Sequence, residues 1–154
     1  MVAVALALAI AALVVAGTVV LRAPGPGDNV RLRAAALDAA RAAAVSLTSY
    51  DHRSLDEDFA RVSEQATGMF KQEYAQTTTQ LRSSLEQSQA VATSTVPAAG
   101  LEQLETDPVR AVVVLAVDQT IAADGTPRRT EFNRIRMTLV RPGESWLIAE
   151  VERL

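Results

Sequence analysis

The chain has 154 residues, enough for one domain with a short appendage and too few for two domains of ordinary size. Its 15 basic and 18 acidic residues give a net charge of −3, and no basic stripe or aromatic cluster stands out, so nucleic-acid binding is not expected. The chain contains no cysteine, which excludes disulfides, thiolate catalysis and cysteine-ligated metals.

The first 21 residues are an uninterrupted apolar segment without a charged side chain. As a helix the segment would extend about 32 Å, close to the ~30 Å hydrocarbon core of a bilayer. A cleaved signal peptide is the main alternative, but its apolar region would be shorter, about 7–15 residues, and a basic residue would precede it. Residues 1–22 are therefore predicted to be an uncleaved transmembrane anchor.

A linker rich in proline and glycine, residues 23–27, follows the anchor, and a single domain is predicted for residues 28–154. The charges leave the orientation of the anchor open. Arg22, Arg31 and Arg33 follow the apolar segment, so the positive-inside rule, read literally, places the domain in the cytoplasm. A basic leader upstream of Met1 would remove that objection.

The first part of the domain has the periodicity of three helices. The first is capped by Asp28 or Asn29, and its apolar face consists of Leu32, Ala36, Ala39, Ala43, Leu47 and Tyr50. Ser54 and Glu57 have the spacing of a capping box for the second helix, which Gly68 interrupts. The face of the second helix is Leu55, Phe59, Val62 and Ala66. The face of the third helix is Phe70, Tyr74, Thr77, Leu81 and Leu85.

After residue 89 the apolar period changes to two, which indicates strands. Ala90–Val96 is predicted to end at a sheet edge, because Pro97 cannot donate to a ladder. Ala111–Ile121 is the best strand, with apolar odd positions except Gln119 and cover on both faces of its first half. Asp124-Gly125 predicts the turn that follows it.

The last two strands, Glu131–Val140 and Trp146–Leu154, allow a register to be predicted. If Val140 pairs with Trp146, the apolar positions share one face, and Arg136 meets Glu150 while Arg134 meets Glu152 on the other. The order of elements predicts an α+β domain, with three helices packed on one side of a curved antiparallel sheet.

Two residues are candidates for acid–base chemistry. His52 is the only histidine, but it lies between two predicted helices, where an exposed loop histidine is the ordinary outcome. Asp118 lies where the even face of the central strand turns polar, and a carboxylate held in a pocket can act as a general acid or base. Such a residue more often marks the point where a strand leaves its cover.

The remaining candidates also have structural explanations. Asp56, Glu57 and Asp58 occupy a first helical turn, where the helix dipole favours acidic residues. Arg134 and Arg136 are able to bind an anionic headgroup, but glutamates face them in the predicted register. A lipid pocket lined by Tyr50, Tyr74 and Trp146 competes with ordinary core packing. We therefore assign no catalytic, cofactor-binding or metal-binding residue, no cofactor and no enzymatic activity.

Several stretches have a distinctive order and spacing: Ala39–Asp51, Ser54–Asp58, Ala66–Phe70, Glu73-Tyr74, Ala111–Thr120, Arg136–Val140 and Trp146–Ile148. Together they resemble the actinobacterial Mce-associated membrane proteins over nearly the whole chain. The resemblance implies an NTF2-like, cone-shaped domain outside the plasma membrane, on a single-pass anchor. It also implies partners among the subunits of Mce complexes, which carry lipids or sterols across the cell envelope.

The resulting hypothesis is a non-catalytic accessory or scaffold subunit of an Mce-type lipid or sterol transport complex. Three alternatives stay open: an NTF2-like module that itself binds a lipid, a small enzyme of the isomerase or cyclase type, and a secretion component like the VirB8 family. An apolar cavity of about 300 Å³ or more is required for the lipid-binding module.

Overall fold

The computed structural model of the protein describes residues 26–154. The predicted anchor, residues 1–22, and most of the predicted linker lie outside the described residues. Within the described range no helix has both the length and the apolar character needed to cross a membrane. Residues 32–154 form one structural unit, and helix α1 begins before it.

Within residues 26–154 three helices precede the sheet, apart from one very short strand after the first of these helices. The helices are α1 (Pro26–Thr48), α2 (Leu55–Glu64) and α3 (Gly68–Gln87). The strands are β1 (Tyr50–Asp51), β2 (Val91–Thr106), β3 (Val109–Ala123), β4 (Thr126–Val140) and β5 (Leu147–Arg153). They form one antiparallel sheet in the order β1-β2-β3-β4-β5, which confirms the predicted α+β class.

Helix α1 packs against the sheet through alanines, but its buried face agrees with the predicted one only in part. Ala36 and Ala43 are buried as predicted, Ala39 is half-buried, and Ala40 and Ala44, which the predicted face did not include, are fully buried. The helix ends at Thr48, so Tyr50 lies in β1 and not in the helix as predicted. The Thr48 carbonyl oxygen accepts hydrogen bonds from Ser94 Oγ and Gln119 Nε2, both at 2.8 Å. Gln119, the polar exception among the odd positions of β3, therefore fixes the C-terminal end of α1 through its hydrogen bond.

The space between α1 and the sheet is filled by side chains. Side chains alternate between the two faces of the sheet, and those at the odd positions of β3 and β4 point towards α1. The large apolar side chains among them, Leu115, Met137 and Leu139, are at most 1% exposed. They share one cluster with the α1 alanines and with Ile148 of β5. A lipid carried inside the cone would need this space, and the described side chains occupy it.

The predicted capping box at α2 is wrong. Ser54 does precede the helix, but its N–H donates to the Asp51 carbonyl oxygen at 2.9 Å and leaves Glu57 exposed. The carboxylate that accepts hydrogen bonds from the residues before α2 belongs to Asp58, one residue after Glu57. Asp58 is 8% exposed and accepts from the Asp51 N–H at 2.9 Å and from the Ser54 hydroxyl at 3.2 Å.

Helix α3 contacts α2 and β5 but buries none of its residues. Phe70, Tyr74 and Leu85 are half-buried, as their spacing predicts. Thr77 and Leu81 are exposed, contrary to the prediction, and Thr78 takes the place of Thr77 on the covered face. The helix begins at Gly68, whose φ of +58° lies in the left-handed region.

Strand β2 does not end at Pro97. It continues to Thr106, and a bulge between Thr95 and Ala98 accommodates the proline. The missing N–H costs little there, because β1 pairs with β2 only at Val91 and Ala92, which leaves the rest of β2 at the edge of the sheet.

The predicted register of the last hairpin is also wrong. Val140 pairs with Leu147 rather than Trp146, and a bulge at Ala149 shifts the remaining pairs, so that Arg136 faces Glu152. The bulge interrupts the period of two and lets both Ile148 and Val151 face the interior. Hydrogen bonds from Ile148 N–H to the Gln65 carbonyl at 2.7 Å, and from Thr67 N–H to the Ile148 carbonyl at 2.9 Å, hold it in place.

Candidate functional site on the outer face of the sheet

The sheet has a second face, opposite α1, that carries the even positions of β3 and β4. Along β4 these positions are Arg128, Thr130, Phe132, Arg134 and Arg136. Phe132 is 78% exposed, although it is the largest apolar side chain on this strand. An exposed aromatic residue between arginines has the composition typical of protein-binding surfaces.

A depression of about 520 Å³ lies beside Phe132. Its lining consists of Ala116, Asp118, Phe132, Asn133, Arg134, Arg153 and Leu154. Asp118 and Phe132 are directly opposite each other on neighbouring strands, and so are Ala116 and Arg134. On the outer face the depression therefore combines the Asp118 carboxylate and the Arg134 guanidinium with an exposed ring, whereas Arg153 pairs with Ile135, whose side chain faces the interior.

An apolar depression of about 370 Å³ adjoins the first and shares Ala116 and Arg134 with it. Small residues make up much of its lining: Ala98, Ala99, Gly100 and Ala116. No atom lies within 4 Å of the place that a Cβ on Gly100 would occupy. This part of the outer face is therefore shallow and apolar, and the charged groups lie at the β4 end.

Strand β5 covers only part of the edge of β4. The two strands pair from Ile135 to Val140, and Leu154 N–H adds one hydrogen bond to the Arg134 carbonyl oxygen at 2.9 Å. Because backbone groups alternate in direction along a regular strand, the N–H and C=O groups of Phe132 and Thr130 point to the same side as those of Arg134. In the described part of the chain they have no backbone partner there.

The arginines of this region differ in their partners. Arg136 binds Glu102 at 2.8 Å and Glu152 at 2.9 Å, and these hydrogen bonds raise its pKa above the usual value. Because Arg136 binds the glutamate that was predicted for Arg134, Arg134 has no ion pair among the described residues. Arg128 and Arg153 likewise have none within residues 26–154.

His52 lies far along the sequence from this depression and does not line it. Its Nδ1 is 3.5 Å from Asp51 Oδ1 and makes no hydrogen bond, and its backbone N–H donates to the Ala90 carbonyl at 3.0 Å. Hydrogen bonds from the side chain and backbone N–H of Arg53 hold the pKa of Asp51 well below its usual range. These residues form the turn that joins β1 to α2.

The acidic cluster at the start of α2 is structural. Asp58 binds Arg61 at 3.0 Å as well as the preceding turn, and Asp56 binds Arg82 of α3. Tyr74 packs edge-on against Phe59, with ring centroids 6.3 Å apart. Burial, with a smaller contribution from the Asp58 carboxylate, raises the pKa of Tyr74 to about 12. Across residues 26–154 no three metal-ligating side chains come together.

The aromatic residues proposed for a lipid pocket do not line one cavity. Trp146 packs against the interior cluster, Tyr74 lies between α2 and α3, and Tyr50 is in β1, where burial raises its pKa. Of the predicted candidates the structure brings Asp118 and Arg134 together on the outer face, and it places Asp58 close enough to Tyr74 to contribute to its raised pKa. Sequence reasoning missed Phe132 and Arg153. The available signal for Phe132 was an aromatic residue among polar even positions of a strand.

Comparison with known proteins gives the family context. A family model described as "Uncharacterized protein Rv1363c/MT1408-like" matches residues 1–154. The protein Rv1363c of Mycobacterium tuberculosis is 29% identical over 121 residues, which are 78% of this chain and 46% of that protein. The chain thus spans about half of that relative. The outer membrane protein Rv1973 of M. tuberculosis is 32% identical over 126 residues, 81% of this chain and 78% of that protein.

Solved structures share the fold at low sequence identity. The periplasmic domain of DotI has a TM-score of 0.67 and 14% identity, with 79% of this chain and 94% of that chain covered. CagV of Helicobacter pylori, a VirB8 homologue of a type IV secretion system, has a TM-score of 0.62 and 10% identity, with coverage of 78% and 96%. The described residues therefore have the α+β fold of these VirB8-like domains, which agrees with the NTF2-like fold that the resemblance implied.

Proposed function

Because the chain belongs to the Rv1363c/MT1408-like family, we propose that it is a non-catalytic accessory or scaffold subunit of an assembly in the cell envelope. The observation that carries the proposal is the filled interior. Leu115, Met137 and Val113 occupy the space in which an NTF2-like enzyme or lipid carrier would hold its ligand. The features left for function are the surfaces of the domain.

The chemistry of the outer face agrees with a binding role. Asp118 lines the depression there, but the other charged side chain that lines it on this face is Arg134, and an arginine stays protonated at physiological pH. Without a second group able to exchange a proton, this set is suited to holding charged groups and poorly suited to acid–base catalysis. A purified protein that turns over an isomerase-type substrate would contradict the proposal.

We place the domain outside the cytoplasm, held by an anchor at residues 1–22. The printed name of Rv1973 and the periplasmic origin of the DotI domain support an envelope location. The chain has no cysteine, so Ser83→Cys, at an exposed position of α3, introduces a single thiol. A membrane-impermeant maleimide should label it in intact cells. Labelling only after the membrane is opened would place the domain in the cytoplasm.

The assembly that we propose is an Mce-type lipid or sterol transport complex, on the strength of the sequence resemblance. The fold shared with DotI and CagV favours a second candidate, a component of a secretion channel. The two candidates require the same anchor and the same docking role. They differ in the identity of the partner.

Purification from membranes separates these candidates. The tagged full-length chain is extracted from its native membranes in mild detergent, beside a control that keeps only residues 1–27 and the tag. Recovery of lipid-transporter subunits with the full chain alone supports the first candidate, and recovery of secretion-channel subunits supports the second. Recovery of the full chain without either class of protein contradicts the proposed function.

A further inference from the structure

We propose that the uncovered edge of β4 binds an acidic, extended segment of a partner protein as an additional strand. The site, called here the β4 edge site, consists of Arg128, Thr130, Phe132 and Arg134 of β4 and Arg153 of β5. The inference rests on the proposed function, because it assigns the surface through which an accessory subunit would engage its partner. If the partner docked on another surface, this inference would be wrong while the proposed function would still hold.

The backbone provides the first argument. Since β5 stops pairing at Ile135, residues 129–133 of β4 are paired with β3, as is Thr126 beyond a register shift at residues 127 and 128, and none of them is paired on the other side among the described residues. An open edge of about eight residues offers roughly 27 Å of unpaired backbone, at about 3.4 Å per residue. Extended peptides bind such edges through main-chain hydrogen bonds, while side-chain pockets select the sequence.

The side chains around the edge provide the second argument. Thr126 to Thr130 are all exposed, so no other element covers this part of β4. Phe132 stands at the inner end of the open edge and borders the depression of about 520 Å³. An aromatic side chain beside a depression is the usual form of an interface anchor, and a side chain of the added strand would fill the space next to it.

Charge decides which partner fits. Arg128, Arg134 and Arg153 have no ion pairs within residues 26–154, whereas Asp118 is the only acidic residue that lines the depression. Arg129, on the opposite face, binds Glu131 at 2.9 Å and is already neutralised. The site therefore has an excess of positive charge that an acidic strand would complement.

The same charges disfavour a second copy of this chain as the occupant. Two copies that paired edge to edge through β4 in antiparallel fashion would bring the arginines of both strands together, and like charges on paired strands are destabilising. Exposed edges are commonly protected from self-association by charged residues. Here the same arginines that disfavour pairing with a second copy also favour a partner strand with acidic side chains.

The test uses the purified full-length protein in detergent micelles and two labelled probe peptides of about eight residues, the length of the open edge. One peptide alternates Glu with Val, and the other alternates Lys with Val. We expect the acidic peptide to bind, by fluorescence anisotropy, and its affinity to fall as salt is raised. Equal binding of the two peptides would overturn the inference.

Three variants address the parts of the site. Phe132→Ala removes the anchor, and Arg134→Glu reverses a charge; each should weaken the acidic peptide by about tenfold, a common effect of interface anchors. Thr130→Pro removes an N–H that points to the open side, so it should weaken binding while the ladder with β3 stays intact. The matched control is Arg33→Glu, an exposed arginine on α1.

Each result has a defined reading. Loss of binding in the three variants and not in Arg33→Glu supports the inference, provided that circular dichroism shows each variant to be folded. Equal loss in Arg33→Glu means that only net charge matters, and the inference is wrong. If Thr130→Pro instead converts a dimer into a monomer, the occupant of the edge is a second copy of the chain and the inference is wrong. If anionic vesicles displace the peptide, the occupant is a lipid surface and the inference is also wrong.

Repeating the membrane purification with Arg134→Glu separates this inference from the proposed function. Recovery of transporter or channel subunits with the original chain and their loss from the variant supports both. Equal recovery with the variant leaves the proposed function standing and refutes the β4 edge site. Recovery of no subunits with the original chain refutes the proposed function. In that case the peptide-binding measurements still decide whether the β4 edge site binds an acidic strand.

Discussion

Enlarging one alanine of α1 tests whether the interior is filled. Ala44 is fully buried in the cluster that contains Leu115 and Met137. Ala44→Leu adds three carbon atoms at that point. In a filled interior the extra volume should lower the free energy of unfolding by about 1–3 kcal/mol. In a hollow cone the same atoms would find space and gain about 2 kcal/mol from burial, at ~0.8 kcal/mol per CH₂.

The two interiors thus predict opposite signs for one substitution. Ala42→Leu is the matched control, because Ala42 is exposed on the same helix and the same change of residue type should alter stability by less than about 0.5 kcal/mol. Urea unfolding of the full-length protein in detergent is followed by the fluorescence of Trp146, the only tryptophan, which packs against the interior cluster. Ala44→Leu as stable as the original chain, or more stable, would refute the filled interior.

Three further predictions concern stability and pH. Asp58→Ala should lower the free energy of unfolding by about 1–3 kcal/mol, because it leaves buried donors unpaired, whereas Glu57→Ala in the same turn should have little effect in urea unfolding; equal effects would contradict the assignment. With Tyr50 replaced by Phe, the phenolate absorbance of Tyr74 should rise near pH 12 in the folded protein. Because its folded pKa is raised from 10.0, stability should fall as the pH rises from 10.0 to about 12, and a native midpoint near 10 would be inconsistent with burial. Gly125→Ala should cost roughly 1–2 kcal/mol in thermal unfolding, because φ is +71° in this turn, and an unchanged midpoint would argue against that conformation.

The parts of the fold that could be predicted are those fixed by local patterns. The alternation along β3 and the turn at Asp124-Gly125 appear where the sequence predicts them, and the predicted face of α1 includes two of its four buried alanines, Ala36 and Ala43. Each depends on residues close together in the chain. A period of 3.6 or 2 over many residues, or a glycine with positive φ, leaves few alternatives.

The predictions that were wrong concern features that depend on contacts between distant segments of the chain. The register of β5 is set by a bulge at Ala149, and that bulge is held by hydrogen bonds between Ile148 and the α2–α3 connection. At α2 the expected donor, Ser54 N–H, is taken by the carbonyl of Asp51. A pattern of apolar and charged residues contains no information about either hydrogen bond.

The candidate site shows the same division. Asp118 and Arg134 were recognisable as polar residues on strands, but their proximity depends on the pairing of β3 with β4. Phe132 borders an open edge only because β5 stops short, since a longer β5 would cover the edge beside it. The length of a neighbouring strand is a property of the whole sheet.

Cross-linking in living cells tests most directly the claim that this domain acts by docking through the outer face of its sheet. A photoreactive amino acid is placed at position 132, and as a control at position 83 on the exposed surface of α3. The account predicts that position 132 cross-links to a subunit of a lipid-transport or secretion assembly, identified by mass spectrometry, and that position 83 does not. Cross-links to such a subunit from position 83 alone, or from neither position, would contradict it.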